Sequence, residues 1–304
     1  MTKTNDNLVA GSICALVTPF TAEGRALDEA AWVAQISHHV DAGTAGLVVA
    51  GTTGESATLS AGERDRMLEL ALAAAAGRCR ILVGTGAAGT DATIEQTRRA
   101  AACGADAVLV VTPYYNRPPQ RGLAAHFRAV ADASAVPVVL YNVPSRTACD
   151  LLPETVAELA AHPNIAAIKE SVADMQRVRS HRAAGLAVAS GDDPSALAAL
   201  AAGASGVISV AANIVPRQFA RLCRAAVERR MDAAEVLDRQ LQPLYRFLAL
   251  ESNPIGVKWL LAAAGRMRPT LRLPLVELDA KHHEEGRALL ARILADEEAA
   301  EHDV

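Results

Sequence analysis

Lys169 closes a short apolar run, Ile165-Ala-Ala-Ile-Lys169, and is followed directly by Glu170. An amine at the end of an apolar strand is poorly solvated, and desolvation disfavours its ammonium form. That is the condition for a lysine that attacks a ketone and forms a Schiff base. A lone lysine could equally lay its alkyl stem on an apolar surface and snorkel its charge into water. Its company shifts the reading. A phenol, Tyr141, ends the preceding apolar run, and a guanidinium, Arg146, follows shortly after it in Tyr141-Asn-Val-Pro-Ser-Arg146-Thr147.

Other reactive groups also follow apolar runs. Gly51-Thr52-Thr53-Gly54-Glu55-Ser56 follows one, and Thr112-Pro113-Tyr114-Tyr115-Asn116 another. Gly191-Asp192-Asp193 follows a third, and Ile208-Ser209 lies within a fourth. Taken singly, each has a plain structural reading. The Gly-Thr-Thr-Gly segment can be a tight turn, the paired tyrosines a rim contact, Arg146 a solvated charge, and Asp193 a helix cap. Taken together they make a set: an amine nucleophile, several hydroxyls and a guanidinium. That set suits a keto acid, with the amine attacking the ketone, hydroxyls moving protons, and Thr53 with backbone amides holding a carboxylate.

The elements that must position them alternate regularly. Short, continuously apolar runs occur at residues 13–17, 46–50, 81–84, 107–111, 138–141, 165–169, 186–190 and 207–210, as expected of strands buried on both faces. Helix-period stretches at 28–42, 60–76, 91–103, 121–133, 153–161 and 193–202 lie between them. Ser60 with Glu63 has the pattern of a capping box, Pro153 suits a first helical turn, and Gly43, Gly104, Gly185 and Gly203 stand where helices should stop. Strand–helix units repeated in this way predict an α/β fold, a parallel (β/α)₈ TIM barrel, with an open doubly wound sheet as the alternative. Residues 1–230 are assigned to the barrel and its site, and 231–304 to a C-terminal helical region with helices at 231–250, 254–264 and 279–295. In such a barrel chemistry gathers at the C-terminal ends of the strands, where all of the residues above fall.

Composition narrows the function further. A net charge of −4 with no basic stripe argues against nucleic acid as a partner. No apolar run reaches membrane-spanning length, and the polar N-terminus lacks the apolar core of a signal peptide. Five scattered cysteines without a CxxC pair point to reduced thiols and a cytoplasmic location. The eight histidines form no metal-binding spacing, so no metal is expected. Gly84-Thr-Gly86-Ala-Ala-Gly89 matches the dinucleotide fingerprint literally. The acid such a site needs at the end of the next strand is missing: Asp106 opens that run and Val111 ends it. The acidic C-terminal run at residues 296–301 reads as a solvated face.

With these residues in place, the chain resembles the pyruvate-dependent class I aldolase and lyase family that includes dihydrodipicolinate synthase and N-acetylneuraminate lyase. The likeness runs from Gly11-Ser-Ile to Leu271-Arg-Leu-Pro274. It is densest in Val111-Thr-Pro-Tyr-Tyr-Asn-Arg-Pro118, Tyr141-Asn-Val-Pro-Ser-Arg-Thr147, Gly206-Val-Ile-Ser-Val210, and Asn253-Pro254 with Val257-Lys258-Trp259. The Tyr141–Thr147 segment is similar to the synthase branch. The resemblance implies condensation of pyruvate with L-aspartate 4-semialdehyde, with no metal or organic cofactor. It implies Lys169 as the nucleophile, with Tyr141, Thr52 and Tyr115 as a proton relay and Tyr115 supplied by a neighbouring subunit. It implies Thr53 on the pyruvate carboxylate, Arg146 on the carboxylate of the aldehyde, and Gly191 and Ile208 lining the pocket. It also implies a homotetramer built from two tight dimers. Alternatives are an aldolase for sialic acid, 2-keto-3-deoxy sugar acids or 4-hydroxy-2-oxoglutarate, or a keto-acid-binding barrel without turnover.

The likeness breaks at one place. Relatives inhibited by lysine carry an effector pocket at the tight dimer interface. This chain keeps Ser56, Ala57 and Tyr114 there, but Ala61, Ala88 and Ala92 replace histidine, asparagine and glutamate, and Arg64 replaces another histidine. The resemblance therefore implies weak or absent feedback by lysine.

Overall fold

The computed structural model describes residues 6–300. The polar stretch at residues 1–5 and the acid Glu301 lie outside it.

Eight parallel strands close into a barrel in chain order. Strands β1 (Gly11–Ala15), β2 (Gly46–Val49), β3 (Arg80–Gly84) and β4 (Ala107–Val111) are each followed by a helix: α1 (Glu29–Asp41), α2 (Ala61–Ala75), α3 (Thr90–Ala102) and α4 (Gln120–Ala133). After β5 (Val138–Asn142) come the single turn α5 (Pro144–Thr147) and α6 (Pro153–Ala160). Then follow β6 (Ile165–Glu170), α7 (Met175–Ala183), β7 (Ala187–Ser190), α8 (Ala196–Ala201), β8 (Gly206–Ser209) and α9 (Pro216–Val227). Closure is direct, since Gly11 pairs with Gly206 and Ile13 with Ile208. The open-sheet alternative is thereby excluded. Observed strand ends differ from the expected ones by at most two residues, because the apolar runs spill into the adjoining turns.

The strands are apolar throughout because both faces are covered. Alternate side chains point inward, where Ile13, Val48, Leu82, Leu109, Val139 and Ile208 share the interior with five alanines: 15, 107, 167, 187 and 189. The other set packs outward against the helices, as Leu140, Ile168 and Val188 do. Local signals hold as well. Ser60 and Glu63 form a reciprocal capping box, Pro153 starts α6, and Gly43, Gly104, Gly185 and Gly203 all have positive φ.

Three further helices follow: α10 (Met231–Leu248), α11 (Ile255–Ala263) and α12 (His283–Ala299). Two of them pack on the barrel's own helices, α10 against α9 and α8, and α12 against α9, while α11 packs against α10 and α12. The acidic C-terminal run is not wholly a solvated face. Glu297 is buried and accepts hydrogen bonds from the amides of Arg217 (2.6 Å) and Gln218 (3.0 Å), so it caps the start of α9. The GxGxxG match is a packing device. A Cβ on Gly84 would lie 2.3 Å from the Ala50 carbonyl oxygen, and one on Gly86 2.6 Å from the Val111 nitrogen. Backbone, not a phosphate, occupies the space that these glycines leave.

Two imidazoles are folded into the helix layer without charge. His39 on α1 bonds Thr44 Oγ1 at 3.0 Å, and burial pulls its pKa down to about 3. His126 on α4 bonds Thr90 Oγ1 at 3.0 Å, and burial pulls it to about 4. Once the chain unfolds, both take up protons near the ordinary 6.5. Below that pH the unfolded state binds more protons. Their contribution is therefore complete above about pH 6.5 and is lost as pH falls towards 4 and then 3. They are worth on the order of 5 and 3 kcal/mol respectively. Thermal melts should show Tm declining as pH is lowered from 6.5 to 4. His126→Gln should make that decline shallower, and a wild-type Tm that is flat across this window would contradict the account.

Candidate active site

Lys169 sits one residue before the end of β6. Its register partners are Tyr141 on β5 and Ala189 on β7. All three side chains point into the barrel, so the lysine has a phenol on one side and only a methyl on the other. Lys169 is 5% exposed and Tyr141 6%. The lysine Nζ lies over the tyrosine ring, 4.3 Å from its centroid. The amine is thus removed from bulk water and placed on an aromatic face that attracts positive charge.

Glu170, next along the strand, must point the other way. Its buried carboxylate accepts from Asn142 Nδ2 (3.0 Å), Arg177 Nε (3.0 Å) and the Val172 amide (2.9 Å), and pairs with His181 Nε2 at 3.2 Å. Arg177 also holds Asp150 through both terminal nitrogens, at 3.1 and 2.9 Å. This cluster fastens the ends of β5 and β6 to α7. In the sequence, Glu170 stands out only as the neighbour of Lys169.

The loop after β7 lies directly on the lysine stem. A Cβ on Gly191 would be 2.6 Å from Lys169 Cε and 2.2 Å from Ser171 Oγ, so a side chain there would have to push both aside. Asp193 does not cap α8. Its carboxylate accepts from the amides of Val210 (3.0 Å) and Ala211 (2.8 Å), joining the loops after β7 and β8. The local turn before α8 is made by Asp192, which accepts from the Ser195 amide at 3.1 Å.

Thr52 and Thr53 occupy a tight turn after β2, with the Gly54 amide bonded to the Gly51 carbonyl and Glu55 in the left-handed region at φ 55°. Thr53 is buried and its Oγ1 accepts from Asn253 Nδ2 at 2.9 Å. Glu55 is buried against Lys258 Nζ at 2.6 Å and also accepts from the Arg272 amide at 3.1 Å. Burial lowers the Lys258 pKa, and the Glu55 charge opposes that fall. Sequence reasoning gives no role to Asn253 or to the Glu55–Lys258 pair. A lysine within the apolar stretch Ile255-Gly-Val-Lys-Trp-Leu-Leu261 is the available sign of a buried partner.

Lys169, Tyr141, Gly191 and the interior residue Ile208 therefore converge on the barrel mouth, with the Thr52–Thr53 turn on the same rim. Two predicted residues stand apart. Tyr115 is 93% exposed and has a left-handed backbone, φ 75°, and Arg146 is exposed on α5. A hollow of about 680 Å³ between α11 and α12 contains none of the predicted residues.

The sequence pattern of the dihydrodipicolinate synthetase family matches residues 8–293, nearly the whole of this barrel and its helical extension. The chain belongs to that family. It is 50% identical over 297 residues to the 4-hydroxy-tetrahydrodipicolinate synthase of Stenotrophomonas maltophilia (strain R551-3), covering 97% of this chain and 99% of the relative. Among solved members of the family, the dihydrodipicolinate synthase of Acinetobacter baumannii, described as chloride-inhibited and complexed with pyruvate, superposes with a TM-score of 0.92 at 40% identity. That alignment covers 94% of this chain and 99% of the other. A second member, described as the first monomeric variant of the enzyme, gives a TM-score of 0.90 at 34% identity, covering 96% and 98%.

The close approach at Gly191 yields a direct test. Gly191→Ala should displace the Lys169 side chain and lower turnover by about 100-fold, the scale of a misplacement near 1 Å. Retention of full activity in that variant would show that the lysine does not work from this position.

Proposed function

We infer that the chain condenses pyruvate with L-aspartate 4-semialdehyde to give 4-hydroxy-tetrahydrodipicolinate, on the route to diaminopimelate and lysine. The observation that carries this reading is the buried Lys169–Tyr141 pair, in a chain half identical to a synthase of that name. The Lys169 amine attacks the pyruvate ketone carbon and water leaves, forming an imine. Protonated, this nitrogen carries positive charge, which the Tyr141 face favours by about 0.5–2 kcal/mol. The imine draws electrons from the adjacent methyl group, which loses a proton and becomes an enamine carbon. That carbon attacks the aldehyde. The substrate's own amine then adds to the imine carbon, closes the ring and releases Lys169.

Tyr141, Thr52 and Tyr115 move protons in this scheme, Thr53 holds the pyruvate carboxylate, and Arg146 receives the carboxylate of the aldehyde. Gly191 leaves space for the lysine, and Ile208 lines the pocket. Residues 1–230 carry the reaction and 231–304 brace it. Tyr115 acts in a neighbouring copy, within a homotetramer of two tight dimers. Its 93% exposure and left-handed backbone support this, because such a tyrosine does little for its own chain. Arg146 favours the synthase reaction over cleavage of sialic or sugar acids, since it offers a carboxylate partner. A cytoplasmic setting accords with five cysteines that are all free. Among the described residues no helix is long and apolar enough to cross a membrane.

Reduction with borohydride in the presence of pyruvate should add the reduced pyruvyl group to the peptide carrying Lys169. The label and the activity should both vanish in Lys169→Ala. Labelling at another lysine, or turnover that survives the substitution, would overturn the assignment.

Feedback by lysine should be weak or absent. Arg64, on the face where sensitive relatives bind the effector, directs its guanidinium to the carbonyls of Ser56 and of Gly84, the latter at 3.2 Å. That cation opposes a ligand ammonium, while Ala88 and Ala92 offer no side-chain polar group. A hydrogen bond to a charged ligand group is worth roughly 1.5–3 kcal/mol, so its absence weakens binding by at least about tenfold. Initial rates titrated with L-lysine should be unchanged at micromolar concentrations, and micromolar inhibition would refute the prediction.

A further inference from the structure

We propose that Asn253, in the C-terminal helical region, is a positioning residue that sets the direction of the Thr53 hydroxyl and so fixes affinity for the keto-acid carboxylate. The proposal rests on the reading of Thr53 as the carboxylate contact. A hydroxyl has one hydrogen to give and two lone pairs. Asn253 Nδ2 donates to Thr53 Oγ1 at 2.9 Å, so one lone pair is committed. The hydroxyl hydrogen remains for another acceptor, and a carboxylate oxygen is the acceptor that this reading brings to the turn. Had the bond run the other way, the hydrogen would be spent on Asn253 and Thr53 would present lone pairs to an anion.

The contact is held from both sides. Asn253 stands just before α11, and one helical turn into α11 Lys258 is bound to Glu55, two residues after Thr53. The segment therefore grips the turn at Thr53 and at Glu55. Both groups of the Glu55–Lys258 pair are fully buried, where charges are screened least, so the spacing between segment and turn is fixed firmly. Asn253 also leaves its own Oδ1 buried with no hydrogen-bond partner among the described residues. An unsatisfied buried acceptor costs stability.

The experiment is steady-state kinetics on the full-length protein, with pyruvate and the aldehyde varied separately. KM does not depend on how much of a variant is folded, so a poorly folding variant remains informative. Asn253→Ala should raise the pyruvate KM about tenfold, the weight of one hydrogen bond to a charged group, and leave the aldehyde KM unchanged. Its Tm should be no lower than that of the wild type, because the orphaned acceptor is gone. Asn253→Asp is the sharper test. An ionised carboxylate can only accept, so it takes the Thr53 hydrogen, and the pyruvate KM should rise further than in Asn253→Ala. In a Thr53→Val background, Asn253→Ala should have no additional effect on that KM. If Thr53→Val raises the pyruvate KM while neither Asn253 variant does, the positioning role is wrong and the carboxylate role stands. If Thr53→Val leaves it unchanged, the carboxylate role itself is wrong. A rise in both KM values accompanied by a lower Tm would mark Asn253 as merely structural.

Discussion

Two charged side chains end β6, and a strand allows them only opposite directions. Lys169 points into the barrel and Glu170 out of it. The outward carboxylate is buried, and a buried carboxylate without partners costs several kcal/mol. Here it meets donors from β5 (Asn142), from α7 (Arg177 and His181), and from its own turn (Val172). Those donors fix the strand's register as well as its charge. A slip of one residue would bring Glu170 inside and turn Lys169 away from Tyr141. Nothing in the cluster needs to touch substrate, yet the placement of Lys169 depends on it. Arg177 extends the lock to Asp150, beyond α5, and so ties the segment bearing Arg146 to the same anchor.

A second anchor works from the far end of the sequence. The turn at residues 51–55 follows β2, but its buried partners are Asn253, Lys258 and the Arg272 amide. The helices beyond β8 therefore do more than cover the barrel's outer layer. They reach over the rim to one of the loops that shape the mouth. Thr18 adds a contact from the loop after β1, donating to the Gly54 carbonyl at 2.7 Å. Lys169 is held from outside the barrel wall, and the hydroxyl-bearing turn from above. The interior between them is lined largely by alanine and branched aliphatic residues, which leave room without adding competing polar groups.

How far the sequence disclosed this follows from the range of each interaction. The eight strands were legible because burial on both faces forces an apolar run, and such a run is visible within five residues. The Ser60–Glu63 capping box and the helix-stopping glycines were legible for the same reason: their partners are within a turn. Residues whose partners lie far away were misread or passed over. Asp193 looked like a local cap, but its partners are at 210 and 211. Glu297 looked solvated, but it caps a helix beginning at Pro216. Asn253 meets Thr53 across 200 positions. A carboxylate or amide has no sequence signature for a remote partner, whereas a lysine in an apolar helix, such as Lys258, at least announces that one must exist. The GxGxxG match failed in the opposite sense. It was local and literal, yet close packing between strands asks for the same missing side chains as a phosphate does.

The distribution of phenols gives one more argument about what the rim is for. Of four tyrosines, only Tyr245 is placed away from the loops that follow β4 and the end of β5. Burial pushes the Tyr245 hydroxyl well above the ordinary range, so it holds its proton throughout the working pH range. Tyr114 and Tyr115 are exposed, at 41% and 93%, in a chain that buries all four of its phenylalanines and both tryptophans in the core. A left-handed tyrosine costs about 1–3 kcal/mol relative to relaxed backbone, and folding of its own chain returns little of it. Such strain persists when the surroundings enforce it, and the Asn116 side chain, donating to the Ala88 carbonyl at 2.8 Å, pins the loop from the adjacent residue. The chain thus holds a phenol rigidly outward while its own amine waits inside with a single ring for company. In the proposed reading, with Tyr115 acting in a neighbouring copy, that arrangement has a physical purpose.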